Sequence, residues 1–222
     1  MENNKEINQE NNSTINFGLP ARIFAHLNSY IFHPLFLPLY IILFLLYLHP
    51  TAFTGFSDAT KFRVILIVII NLLFFPLLSV LLLKAVGFID SIYLKNQKDR
   101  IIPYIASGIF FFWAYHVFKE QTQYPELWVS YLLGLFLASS AALIANIYFK
   151  VSMHAVGVGG LLGMFYLLSN SQEMMMTWPL AAVLIITGMV CTSRMILKAH
   201  SRLDIYGGLI IGVLTQLAGW YL

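Results

Sequence analysis

Ser193-Arg194, His200 and Asp204 fall within twelve residues, with Lys198 and Arg202 between them, in a chain of which only 10% of residues are charged. At the centre of a bilayer such a charge costs on the order of 2.5–3.5 kcal/mol, so a cluster between two long apolar segments demands pairing, hydration or a task. The residue types suit phosphoryl transfer, which needs cationic donors for the equatorial oxygens, a nucleophile and an acid for the leaving oxygen. Arginine binds phosphate bidentately. Histidine serves as a nucleophile when a neighbouring carboxylate fixes its tautomer and raises its basicity, and His200 and Asp204 are four apart, on one face of a helix. Two other polar segments add complementary groups: Lys95, Lys98 and Arg100 in one, and Ser152 and His154 in the other. Lys150 and Lys198 are also of the kind that snorkels at a membrane surface.

Aspartate-rich magnesium chemistry fits this set poorly. There are ten Asp and Glu residues; Asp90 and Asp99 are nine apart and Asp204 stands alone. Magnesium-dependent prenyltransferases and alcohol phosphotransferases are therefore disfavoured. Zinc held by His154, His200 and Asp204 is conceivable, but the surrounding Arg and Lys oppose a cation and welcome an anion. No metal and no cofactor are expected.

These segments are positioned by apolar runs. The chain has 222 residues, 59% of them hydrophobic, with mean hydropathy +0.76. Apolar stretches lie at about 34–50, 62–86, 101–118, 127–148, 155–170, 178–197 and 205–222. A span needs about 20 apolar residues, and continuous rather than alternating hydrophobicity predicts helices, not a barrel. The expectation is an all-α, multi-pass transmembrane bundle of six to seven spans. The first, fifth and last runs are short, which leaves the count open. Residues 1–16 read as a disordered polar tail without a secretory signal, and 17–222 as a single transmembrane domain. Residues 17–33 have apolar positions near helical spacing, which suits either an interfacial helix or an extension of the first span. Gly157, Gly159, Gly160 and Gly163, with Gly208 and Gly212, are spaced for close helix packing. The net charge of +3, without a basic stripe, makes nucleic acid a poor partner. The lone Cys191 excludes an intrachain disulfide and reads as a packed membrane residue. Two spans separate each polar segment from the next, so all three emerge on one membrane face.

Ser193-Arg194-x5-His200-x3-Asp204 resembles the third signature motif, Ser-Arg-x5-His-x3-Asp, of the type 2 phosphatidic acid phosphatase superfamily of integral-membrane lipid phosphatases. Val151-Ser152-Met153-His154 is similar to its Pro-Ser-Gly-His motif, with Pro and Gly replaced. Lys95 and Pro103 keep the spacing of its Lys-x6-Arg-Pro motif, but Ile102 stands where Arg belongs and Arg100 sits two residues earlier. The resemblance runs from about residue 90 to the C-terminus. It implies a metal-independent phosphatase working through a phosphohistidine: His200 as nucleophile, Asp204 as its orienting partner and His154 as the acid for the leaving group. Arg194, Ser152 and Lys95 would bind the phosphoryl oxygens, with Arg100 substituting for the displaced arginine.

The expected substrate and partner is thus a membrane lipid phosphate or polyprenyl diphosphate, in a bacterial-type inner or plasma membrane. A lipid phosphotransferase and a non-enzymatic lipid-phosphate binder or transporter are the other readings. The basic residues of the motif face follow the pattern of cytoplasmic loops, whereas the resemblance points to the outer face.

Overall fold

The computed structural model describes residues 17–94, 96–170 and 175–222. The predicted tail 1–16 and Lys95 lie outside them. The described residues form eight helices and no strand. Two are short, α1 (Leu19–Ile31) and α2 (Leu37–Tyr47). Six are long and apolar enough to cross a membrane: α3 (Asp58–Ala85), α4 (Lys98–Lys119), α5 (Glu126–Tyr148), α6 (Met153–Asn170), α7 (Thr177–Ile196) and α8 (Arg202–Tyr221). The protein is a multi-pass membrane protein with an all-α bundle.

The run 34–50 is where the span count is decided. Proline lacks the N–H that would continue a helix and restricts the residue before it, and α1 stops at Ile31, ahead of Pro34. Helix α2 then has eleven residues, about 16 Å at 1.5 Å per residue, against a hydrocarbon core of about 30 Å. It is not of spanning length, but it follows α6 in the same direction: Leu37 lies beside Gly157 and Phe44 packs on Phe165 with centroids 4.8 Å apart. Six long helices plus one short companion account for the seven apolar runs. In α3, Pro76 is preceded by a π-helical segment, Ile69–Phe74, which takes up the backbone bond that proline cannot make.

Helix α6 is central. Half of its apolar window is buried, the highest share of the six, and α8, α7, α5 and α2 all pack against it. Its contact with α8 is backbone to backbone. A methyl group added at Gly208 would lie 2.8 Å from the Ser152 carbonyl oxygen, and one at Gly212 would meet the Val156 carbonyl and, at 2.6 Å, the Gly160 nitrogen. Close approach of this kind requires small residues. Helix α1 packs on α7 with Ala25, Asn28 and Ser29 buried, while Leu19, Ile23, Leu27 and Ile31 are exposed along its opposite side.

The glycine contact yields a test. Gly212→Ala should lower stability by about 1–3 kcal/mol through overpacking, whereas Gly188→Ala, where an added methyl meets nothing within 4 Å, should leave it unchanged. Thermal unfolding of the two variants in detergent reads the difference.

Candidate active site

The α3–α4, α5–α6 and α7–α8 connections come together at one end of the bundle, and α1 reaches the same end. The glycine packing of α8 on α6 fixes the centre: the Ser152 N–H donates to the Asp204 carbonyl oxygen at 3.0 Å, tying the start of α6 to the first turn of α8. Ser201 caps α8. Its hydroxyl accepts from the Asp204 N–H at 3.2 Å, and an Asp204 carboxylate oxygen accepts from the Ser201 N–H at 2.9 Å. This capping box places His200 at the mouth of α8.

His200 Nδ1 lies 3.1 Å from the Lys150 carbonyl oxygen and 3.7 Å from Asp204 Oδ2. A carbonyl oxygen only accepts, so Nδ1 carries the proton and Nε2 keeps its lone pair. The distance to Asp204 is too long for a hydrogen bond. The group that fixes the His200 tautomer is therefore the Lys150 carbonyl, while Asp204 supplies a nearby negative charge and caps its own helix. The His200 side chain is 4% exposed. Burial, with the positive charges of Arg100, Arg194 and Lys150, holds it at about 4, so it is neutral at pH 7.

Cations crowd this ring. Arg100, 4% exposed, donates through Nε to the Leu94 carbonyl at 2.8 Å and through Nη1 to the Val151 carbonyl at 2.7 Å. Arg194 donates through Nη1 to Ser29 Oγ at 3.4 Å, and its buried Nε has no hydrogen-bond partner among the described residues. The Lys150 ammonium is pushed below its usual value by burial and by Arg100 and Arg194, with Asp204 opposing. Lys150 is half-buried, and its carbonyl stands against His200; its position two residues before Ser152 was the only signal in the sequence. Lys98 is exposed. Among the described residues no ion pair joins Arg100, Arg194 or Lys150 to a carboxylate. Ser152 is fully buried, and its hydroxyl oxygen accepts the Ala155 N–H at 3.4 Å, which leaves its own proton to donate.

His154 faces α1. Its Nε2 lies 3.1 Å from the Ser29 carbonyl, so Nε2 carries the proton and Nδ1 is unprotonated in the neutral ring. The His33 ring meets it edge-on, centroids 5.1 Å apart. Ser193 is occupied on both sides: its hydroxyl donates to the Met189 carbonyl at 2.7 Å and accepts from Asn28 Nδ2 at 2.9 Å. It seats α1. Nothing in the spacing of residues 17–33 pointed to Asn28, Ser29 and His33, because their partners lie more than 120 residues away.

Two non-glycine residues in the left-handed backbone region flank the site, Leu94 at φ 48° and Lys198 at φ 49°. Each costs on the order of 1–2 kcal/mol. The first turns its carbonyl to Arg100; the second lies two residues before His200.

Of the residues singled out from sequence, His200, Asp204, Arg194, Arg100, Ser152 and His154 are gathered here, and Lys95 lies outside the described residues. His154, His200 and Asp204 do not form a metal-ligand set, nor does any other group of three or more His, Cys, Asp or Glu among the described residues. No protein-family model, curated protein or solved structure matches the chain.

His33 is also held at about 4, by burial and by Arg194. In the unfolded chain both His33 and His200 take up protons near pH 6.5; in the folded chain they do so only near 4. The unfolded state therefore binds more protons between these values, and stability should fall as pH drops from about 6.5 to 4. Denaturant titrations across that window should show the slope, and His200→Gln should reduce it.

Proposed function

We propose that this protein is a metal-independent membrane phosphatase that removes phosphate from a lipid phosphate or polyprenyl diphosphate through a phosphohistidine. The observation that carries the reading is the excess of positive charge on Arg100, Arg194 and Lys150 over the single carboxylate of Asp204, around a neutral His200 whose Nε2 makes no hydrogen bond among the described residues. Buried cations are stabilised only when paired, and a phosphate dianion supplies the missing charge. The sequence motif points the same way.

In the proposed reaction His200 Nε2 attacks phosphorus, forming the N–P bond as the bond to the leaving oxygen breaks. The Lys150 carbonyl and Asp204 steady the developing imidazolium. Arg194, Arg100 and the Ser152 hydroxyl take the phosphoryl oxygens, and Lys150 adds its charge. His154 gives a proton to the leaving oxygen. Its Nε2 proton is committed to the Ser29 carbonyl, so the proton delivered is one held on Nδ1, which an anionic head group beside the ring favours. In the second half-reaction water attacks phosphorus, His154 takes a proton from it, and the N–P bond breaks to restore neutral His200. The substrate is an amphiphile with its head group at this end of the bundle and its tails among the apolar helices.

The test is phosphate release from a panel of lipid phosphates and diphosphates by protein in detergent. Turnover should survive EDTA, vanish in His200→Ala together with acid-labile phosphate on the protein, and fall roughly 10²–10³-fold in Arg194→Ala. Release by His200→Ala at the wild-type rate would end this reading.

A further inference from the structure

We propose that α1 is a working part of the site, with His33 a positioning residue for His154. Together with the Ser29 carbonyl, His33 holds His154 in the tautomer that keeps Nδ1 as the proton-exchanging nitrogen.

Five contacts carry this. The Ser29 carbonyl receives the His154 Nε2 proton at 3.1 Å. The His33 ring closes the side of His154 edge-on at 5.1 Å, a geometry that aromatic rings favour. His33 is itself fixed, because its Nδ1 accepts the Leu35 N–H at 3.3 Å in the turn that ends α1. The helix bearing Ser29 is seated on α7 by the buried bond from Asn28 to Ser193 and by the contact of Arg194 with Ser29 Oγ. These contacts join α1 to the two helices that carry His154 and Arg194, and no other element supplies a hydrogen-bond partner to the His154 ring among the described residues.

The chemical consequence follows from the two ring nitrogens. A neutral imidazole has one donor and one acceptor. With Nε2–H given to a backbone carbonyl, the ring cannot flip or exchange tautomers without breaking that bond, so proton exchange is confined to Nδ1. If α1 lifts, both nitrogens become available and the ring loses its wall. The charged and titratable groups around His154 are Arg194 on α7, His33 at the end of α1 and His200 before α8; only His33 reaches it from α1. The effect on turnover rests on the phosphatase reading, whereas the tautomer does not.

The test uses the full chain, with ¹⁵N-labelled histidine, in lipid nanodiscs without substrate. Long-range ¹⁵N–¹H correlations, assigned with His154→Gln, should show His154 in wild type as a single Nε2–H tautomer. Asn28→Leu unseats α1 without touching either histidine. His33→Asn keeps an acceptor for the Leu35 N–H, as Asx turns do, but removes the ring. In both, the His154 signals should move to a mixture of tautomers, and where the wild type turns over lipid phosphate, kcat should fall about tenfold with KM within about twofold. Wild-type His154 signals in both folded variants would overturn the inference. So would loss of the native unfolding transition in both, since α1 would then be only a strut. A tautomer shift in a protein that releases no phosphate would instead count against the phosphatase reading and leave this one standing.

Discussion

The backbone of α8 lies directly on that of α6, with no side chain between Gly212 and the Val156–Gly160 turn or between Gly208 and Ser152. The site depends on this approach. It brings the start of α6 close enough to the start of α8 for Ser152 to bond to Asp204, and it sets the Lys150 carbonyl against His200. In an apolar solvent the hydrophobic effect does not drive helices together; packing and hydrogen bonds do. Small residues at the crossing gain that packing, and polar groups at the helix ends gain partners they would lack alone.

The same end of the bundle gathers more positive charge than the carboxylates among the described residues offset. Arg100 is spent partly on holding the Leu94 and Val151 carbonyls, Arg194 Nε has no hydrogen-bond partner among the described residues, and Asp204 is drawn into capping α8. The left-handed backbone at Leu94 and Lys198 adds strain at the two loops that present these groups. Strain and unmatched charge both oppose folding, and they concentrate at this one end of the bundle. The rest of the bundle, with Trp128, Tyr131 and Leu168 wholly packed in its core, supplies the stability that holds them in place.

Helix α1 changes how the site is understood. A bundle made only of the long helices would leave His154 open on one side. The short helix closes that side using one amide, one backbone carbonyl and one imidazole, and it shows why a serine precedes Arg194: Ser193 bonds to Asn28. The exposed stripe Leu19, Ile23, Leu27 and Ile31 on its other side suits contact with lipid, which would tie the seating of α1 to the membrane around it.

The all-α membrane bundle was legible in the sequence, because apolar runs of bilayer length admit few other structures. The run 34–50 was ambiguous: hydropathy does not register the helix stop before Pro34 that shortens α2. Much of what gathers at the candidate site was legible too. Arg194, His200 and Asp204 are close in sequence, and span parity places Ser152, His154 and Arg100 on the same face. Three things were decided only by the tertiary structure. The partner of His200 Nδ1 is a backbone carbonyl, which has no residue signature. Lys150 lies beside His200 because α6 begins where α8 begins. Asn28, Ser29 and His33 meet α6 and α7 across more than 120 residues. Spacing along the chain encodes only what one helix or loop brings together, and contacts between distant helices exist only once the bundle has packed.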